Sequence, residues 1–243
     1  DRLGADPIPM QLPIGFEATF RGVVDLLNMQ AMYWEDEMGR EIRVAEIPDE
    51  MKAQADEARH YMVEKIAELD DALTVKYLEG GEIGVQEMKE ALRKAVITNR
   101  ATPAFCGSAM RNKGIQVLLD AVIDYLPSPA DIPPVRGTDP DNLEETIELP
   151  AEDDAPLSAL VFKIVTDPYV GRLAYFRVYS GTLSQGSMVT NSTKGKRERI
   201  GRLIRMYADR REDITEVRAG DIAAALGFKE TFTGETLCEN KRV

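Results

Sequence analysis

The sequence predicts a mixed α/β part followed by a small antiparallel β-barrel. Up to residue 126 apolar residues recur at helical spacing, whereas after residue 156 short β-rich runs alternate with glycines. The charge changes at the same place: residues 1–156 hold 15 Lys and Arg against 32 Asp and Glu, a net charge of −17, and residues 157–243 hold 15 against 10, or +5. Prolines and acidic residues fill the stretch between, so we predict domains at 1–126 and 157–243 with an extended linker at 127–156.

The composition excludes several classes of protein. With 243 residues, 44% of them hydrophobic, the chain has enough apolar material for one large or two modest cores. It has no apolar run near the roughly 20 residues of a membrane helix, and its first residues do not resemble a secretory signal, so a soluble, cytoplasmic protein without membrane contact is expected. Cys106 and Cys238 are expected to be reduced, and a single histidine, His60, argues against a His-based metal site.

The α/β part is expected to begin with strands and turns at residues 8–27, where prolines and glycines interrupt the apolar stretches. After Pro48, apolar residues at helical spacing predict one long helix that ends at Gly80 and Gly81. Its buried residues are Met62, Ile66, Leu69, Leu73 and Tyr77. A shorter helix follows, with Val85, Met88, Leu92, Ala95 and Val96 on its buried side.

Four carboxylates share the opposite side of the predicted long helix. At about 100° per residue, this side carries Glu57, Glu64, Glu68 and Asp71. The ordinary interpretation is a solvated helix face, and the alternative is a contact surface for a basic partner.

Residues 101–126 are predicted to form a strand, a loop and a helix of the α/β type. The helix is expected to end at Pro127 and to bury Ile115, Leu118, Leu119, Val122 and Leu126. The loop consists of Gly107, Ser108, Ala109 and Met110 and has the form with which GTPases contact the guanine base. The small Ser108 permits a tight turn, and the Ala109 N–H can donate a hydrogen bond to the guanine carbonyl oxygen.

The other motifs of a GTPase are absent from the sequence. There is no GxxxxGK[ST] phosphate loop, and neither 112–115 nor 240–243 supplies the NKxD that recognises guanine. Asp36 and Gly39 match DxxG by chance, because no phosphate loop precedes them. We therefore expect this chain neither to bind nor to hydrolyse GTP.

The β-rich part contains the densest basic patch of the chain. Residues 197–206 are predicted to form a single strand that buries its aliphatic side and exposes arginines, since the two kinds of residue alternate. With the turn before it, this strand supplies Lys194, Lys196, Arg197 and Arg199. Two explanations fit: an edge strand that charge protects against aggregation, or a contact with nucleic acid such as RNA.

Seven segments, collinear over almost the whole chain, resemble bacterial elongation factor G. They are 9–15 (PMQLPIG), 22–26 (GVVDL), 106–116 (CGSAMRNKGIQ), 119–129 (LDAVIDYLPSP), 166–173 (TDPYVGRL), 177–181 (RVYSG) and 219–224 (AGDIAA). The resemblance implies an internal fragment of the ribosomal translocase, which uses GTP hydrolysis to move tRNA and mRNA. A related GTPase, a ribosomal protection protein or the GTPase release factor, is the alternative, with this chain as a non-enzymatic interaction module.

The resemblance also implies a fold and a division of labour. Residues 8–100 would be an α/β inserted subdomain, 101–126 the last strand and helix of a P-loop GTPase domain, and 157–243 the translation-factor β-barrel known as domain II. The missing motifs would lie before Asp1, so GTP, Mg²⁺ and the catalytic residues would belong to the full-length parent. The fragment alone is expected to be inactive, monomeric and free of bound metal.

Three sets of residues acquire expected roles from the resemblance. The family's inserted subdomain docks on the ribosomal stalk protein through an acidic helix face, which matches Glu57, Glu64, Glu68 and Asp71. The family's barrel approaches small-subunit ribosomal RNA, in keeping with Lys194, Lys196, Arg197 and Arg199. Gly107, Ser108, Ala109 and Met110 match the base-contact loop, although Met110 stands where many GTPases have a lysine.

Overall fold

A computed structural model describes residues 4–36, 38–139, 142, 144–167, 171–208 and 210–239. The chain divides into two compact units, Asp1–Pro127 and Ser128–Val243. Three parts of the motifs discussed above lie outside the described residues: residue 37 of the DxxG match, residues 168–170 of the resembling segment 166–173, and the tetrapeptide 240–243.

The described part of the first unit contains six strands and four α-helices. The strands are β1 (Pro7–Pro9), β2 (Gln11–Ile14), β3 (Gly22–Asp25), β4 (Gln30–Trp34), β5 (Ile42–Ala45) and β6 (Thr102–Ala104), and the helices are α1 (Asp49–Ala67), α2 (Asp71–Leu78), α3 (Val85–Ile97) and α4 (Ile115–Tyr125). Strands β2 to β5 form an antiparallel meander, whereas β1 and β6 pair in parallel. The apolar sides of α1, α2 and α3 bury Met62, Ile66, Met88 and Leu92 in one core with strand residues such as Ile8.

The predicted long helix is two helices, and Asp70 is the reason. Its backbone is extended (φ −139°, ψ 125°), and its carboxylate accepts hydrogen bonds from the N–H groups of Ala72 at 3.0 Å and Leu73 at 3.3 Å. Asp70 is therefore the N-cap of α2, and a side chain that caps a new helix interrupts the preceding one. The prediction of one continuous helix was wrong, although Met62, Ile66 and Leu73 are all buried as expected.

The predicted buried face of α4 was also wrong. Leu118, Leu119, Val122 and Leu126 are exposed, by 43–58% of their surface. The helix instead buries Ala121 and Tyr125. Apolar residues cover most of the circumference of α4, so their spacing alone could not identify the side that packs on the unit.

The second unit is dominated by antiparallel β-structure. Its strands are β7 (Val135–Thr138), β8 (Thr146–Leu149), β9 (Ser158–Asp167), β10 (Gly171–Ser180), β11 (Leu183–Ser184), β12 (Met188–Asn191), β13 (Lys196–Arg199), β14 (Leu203–Tyr207), β15 (Arg210–Ile214), β16 (Glu216–Val217), β17 (Ile222–Ala225) and β18 (Thr236–Cys238). Eight of them form one sheet in the order β13-β12-β18-β9-β10-β17-β14-β15. The structure shows a large antiparallel sheet; within the described ranges no pairing joins β13 to β15, and closure of this sheet into a barrel stays a prediction.

Two further stretches of the second unit differ from the sequence expectations. The range 127–156, predicted as an extended linker, contains the hairpin formed by β7 and β8. The strand predicted at 197–206 is two strands, β13 and β14, because the Gly201 N–H donates to the Leu226 carbonyl at 2.9 Å. A Cβ at Gly201 would lie 2.5 Å from that oxygen, so the chain turns where only glycine fits.

None of the described helices combines the length and the apolar character that a membrane span requires.

Candidate functional site

The loop formed by Gly107, Ser108, Ala109 and Met110 lies between β6 and α4, and backbone hydrogen bonds close it. The Ser108 N–H donates to the Lys113 carbonyl at 2.8 Å, and the Lys113 N–H returns a bond to the Ser108 carbonyl at 3.1 Å. Gly114 has a φ of +84°, and a Cβ there would lie 2.7 Å from the Cys106 carbonyl oxygen. The loop therefore has a defined, compact shape.

This shape leaves a backbone donor available at the surface. The Ala109 N–H makes no hydrogen bond to any residue that the structure describes, and the alanine is exposed. Met110 is 99% exposed. A small exposed residue with an unpaired N–H can donate to a carbonyl oxygen of a flat ligand, which is the chemistry expected of a base-contact loop.

Hydrogen bonds with residues 11–34 hold this loop in position. Arg111 donates to the Ala18 carbonyl at 3.1 Å, and Gln116, at the start of α4, accepts from the Trp34 indole N–H at 3.1 Å. Gln11 accepts from the Cys106 N–H at 3.1 Å, and burial raises the pKa of the Cys106 thiol. Gln11 and Gln116 could not be identified from the sequence, because an isolated glutamine carries no spacing signal.

The four predicted acidic residues are all exposed, but they do not share one helix. Glu57 and Glu64 lie on α1, Glu68 is its C-cap, and Asp71 begins α2. The Lys65 ammonium lies 3.1 Å from the Glu68 carboxylate, and this contact raises the pKa of Lys65. The acidic surface is therefore formed by α1 and the first turn of α2, and part of its charge is neutralised.

Two of the four predicted basic residues are paired within the protein. Lys194 lies 2.8 Å from the Glu235 carboxylate and 4.2 Å from the centre of the Phe232 ring, and Lys196 lies 3.0 Å from Glu230. Burial opposes the ionisation of Glu235, but hydrogen bonds from Lys194, Asn191 and the Phe232 N–H hold its pKa below the ordinary value.

The two arginines of the patch lie on β13, the strand at the end of the large sheet. Arg199 donates to the Gly186 carbonyl at 3.2 Å. Arg197 is exposed and has no ion-pair partner in the described part of the chain. Between them, Glu198 points inward and is 8% exposed. Arg197 is therefore the cation most available to an external anion.

No three His, Cys, Asp or Glu side chains are grouped as a metal site requires within the described ranges. The geometry therefore offers a backbone donor loop and two charged surfaces of opposite sign.

Comparison with known proteins shows which proteins this chain is similar to. Residues 156–240 match the family model of elongation factor G domain 2. A crystal structure of a protein from Thermus thermophilus is similar over 100% of this chain, with a TM-score of 0.76 and 26% sequence identity. The chain spans 33% of the length of that protein. Residues 156–240 of the second unit are thus similar to translation-factor domain 2, and the large antiparallel sheet is consistent with that similarity.

Proposed function

We propose that this chain is an internal part of an elongation factor G, the translational GTPase that moves tRNA and mRNA on the ribosome. The observation that carries the proposal is the match of residues 156–240 to domain 2 of that factor. The resembling segments in the first unit, 106–116 above all, support the same assignment.

The loop of Gly107, Ser108, Ala109 and Met110 supports a guanine contact in the full-length parent. Ala109 is exposed and its N–H is unpaired among the described residues, so this group would donate to the guanine carbonyl oxygen, and a longer side chain at residue 109 would hold the base away. GTP and Mg²⁺ supply the hydrolysable phosphate and its charge neutralisation in the parent. The residues of this chain would position only the base, so we assign no catalytic residue to it.

The first unit has features of an incomplete α/β domain. Strands β1 and β6 form a two-stranded parallel sheet, and parallel sheets are normally larger and covered on both faces. The apolar side of α4 that carries Leu118, Leu119 and Val122 is exposed. Both features suit packing against further strands of a GTPase domain in the parent.

The charged surfaces suit two ribosomal partners. Glu57, Glu64, Glu68 and Asp71 present negative charge to a basic partner, which we propose is the ribosomal stalk protein. Lys194, Lys196, Arg197 and Arg199 suit phosphates of small-subunit ribosomal RNA. Contact with tRNA and mRNA would then be indirect.

The test uses the complete gene product and ribosomes. We expect ribosome-stimulated GTP hydrolysis and movement of tRNA, and in the same protein we expect Ala109→Gln to weaken GTP binding about tenfold, whereas Ala130→Gln leaves it unchanged. Displacement of tetracycline or release of the finished peptide, without tRNA movement, would assign the alternative factors. Calorimetry of the 243-residue chain should detect no GTP binding, and micromolar affinity would contradict the view that the phosphate site lies outside it.

A further inference from the structure

A cleft of about 240 Å³ opens beside α4 within the first unit. Its apolar lining includes Met32, Phe105 and Val117, and three carboxylates, Asp25, Asp120 and Asp124, also line it. We call it the α4 cleft. It lies on a different side of α4 from the exposed Leu118, Leu119 and Val122 and is not part of the base-contact loop.

The phenol of Tyr125 lines this cleft without a hydrogen-bond partner. The residue is 3% exposed, and its hydroxyl oxygen is buried and unpaired among the described residues. Burial, with the charges of Asp124 and Asp25, raises the pKa of Tyr125, so the hydroxyl is neutral and can accept or donate. A buried hydroxyl without a partner costs free energy, and a ligand that pairs with it removes this cost.

The charge of the cleft selects a cation. Lys89 is its single basic residue and is paired with Asp124 at 2.7 Å. Asp25 accepts from the Leu27 N–H at 2.9 Å and the Asn28 side chain at 2.7 Å, which hold the carboxylate in place. Asp120 is exposed and has no ion-pair partner in the part of the chain that the structure describes. Among the described residues, Asp25 and Asp120 therefore have no neutralising cation, which disfavours a phosphate or a nucleotide.

We propose that the α4 cleft binds the guanidinium group of an arginine side chain presented by a partner protein. A guanidinium has five N–H donors in one plane and can pair with Asp120 and the Tyr125 hydroxyl together. The apolar lining suits the aliphatic stem of that side chain. The volume is below the roughly 300–1,000 Å³ of clefts that enclose whole small molecules.

A peptide-linked arginine fits better than the free amino acid. Free arginine adds an α-ammonium and an α-carboxylate to the same guanidinium, so its net charge equals that of the capped residue, and the small volume of the cleft is what favours a side chain presented by a polypeptide. This inference goes beyond the proposed function and does not rest on it.

The experiment titrates the full 243-residue chain with an acetyl-Gly-Arg-Gly-amide peptide and follows backbone NMR shifts. We expect saturable shifts at α4 and at the turn after β3. The same peptide with citrulline, which keeps the shape but lacks the charge, should bind at least tenfold more weakly. Tyr125→Phe and Asp120→Asn should each weaken binding of the arginine peptide about tenfold. Glu82→Gln, which removes one charge from an exposed site outside the cleft, should leave the binding unchanged.

Equal binding of the arginine and citrulline peptides would overturn the proposal. Equal affinity of the arginine peptide for Asp120→Asn and for Glu82→Gln would also overturn it. Tighter binding of free L-arginine than of the peptide would overturn the assignment to a protein partner. Thermal unfolding of each variant is measured alongside. If Tyr125→Phe fails to fold, the comparison of Asp120→Asn with Glu82→Gln decides the outcome.

Discussion

Glu198 makes the sharpest test of how the basic patch is supported. It lies on β13 between two exposed arginines, yet its carboxylate is buried. One oxygen accepts from the N–H groups of Lys229 at 2.6 Å and Glu230 at 3.2 Å, and the other accepts from the Thr231 hydroxyl at 2.5 Å. These bonds fix the segment that carries Glu230, Phe232 and Glu235, the residues that contact Lys194 and Lys196.

Replacing Glu198 by glutamine keeps the size of the side chain and removes its charge. A hydrogen bond to a charged group contributes about 1 kcal/mol more to stability than a neutral one. For three such bonds, the loss of stability has an upper limit of about 3 kcal/mol. Burying a neutral amide costs less than burying a carboxylate, which offsets part of this loss. We expect Glu198→Gln to destabilise the second unit by about 2 kcal/mol at neutral pH.

The pH dependence has a definite sign. Burial opposes ionisation of Glu198, but the hydrogen bonds from Thr231 and from two backbone N–H groups hold its pKa below the ordinary value. Because the folded pKa is lowered, the carboxylate stabilises the unit fully above the unfolded-state pKa of about 4.3 and loses this effect as the pH falls through the folded pKa. The stability difference between the native chain and Glu198→Gln should be constant near neutral pH and shrink in acid.

Urea unfolding, followed through NMR signals of β12 and β18 at several pH values, measures this difference. Glu212→Gln is the matched control, since Glu212 is an exposed carboxylate on β15. If Glu198→Gln and Glu212→Gln differ by less than about 0.5 kcal/mol at neutral pH, the carboxylate does not hold the segment. A difference that stays constant down to acid pH would likewise refute the reasoning.

Three further changes test other parts of the molecule. Asp70→Ala should destabilise the first unit by about 1 kcal/mol in urea unfolding, while Asp70→Asn, which still caps α2, should cost much less; equal losses would contradict the capping role. Gly201→Ala should cost about 1–3 kcal/mol, because its Cβ would approach the Leu226 carbonyl at 2.5 Å, and a calorimetric melting temperature equal to that of the native chain would disprove this close approach. Glu64→Lys combined with Glu68→Lys should weaken stalk-protein binding about tenfold at low salt and flatten its salt dependence, and unchanged binding would return this surface to a solvated helix face.

Periodicity predicted the parts of the fold in which one side of an element is apolar and the other polar. Helix α3 is confirmed with its expected buried residues, Met88, Leu92 and Ala95, and strand β12 is confirmed at 188–191. The same reasoning failed at α4, where apolar residues lie on nearly all sides. It failed again at Asp70 and Gly201, where two capping hydrogen bonds or one close contact divide an element without disturbing the pattern.

The candidate sites were predictable to different degrees. The position of residues 107–110 between a strand and a helix follows from short-range pattern, and the structure has this arrangement. The side chains that support these sites are far in sequence from the residues that they contact. Gln11 is about 95 residues from Cys106, and the carboxylates that pair with Lys194 and Lys196 are about 35–40 residues from those lysines. Such contacts depend on the folded chain and leave no periodic signal.

The pairing of Lys194 with Glu235 and of Lys196 with Glu230 limits how a polyanion can bind this surface. A lysine that is paired with a carboxylate attracts a phosphate only weakly. Its approach to the nucleic acid releases no condensed counterion unless the internal ion pair opens. With Arg197 and Arg199 as the two remaining contributors, the logarithm of the binding constant should fall with the logarithm of salt concentration at a slope of about −1.4 to −1.8, half that of four independent cations. An RNA bound at this surface would therefore meet two cations without an internal ion pair among the residues that the structure describes, Arg197 and Arg199, while the charges of Lys194 and Lys196 stay neutralised within the protein.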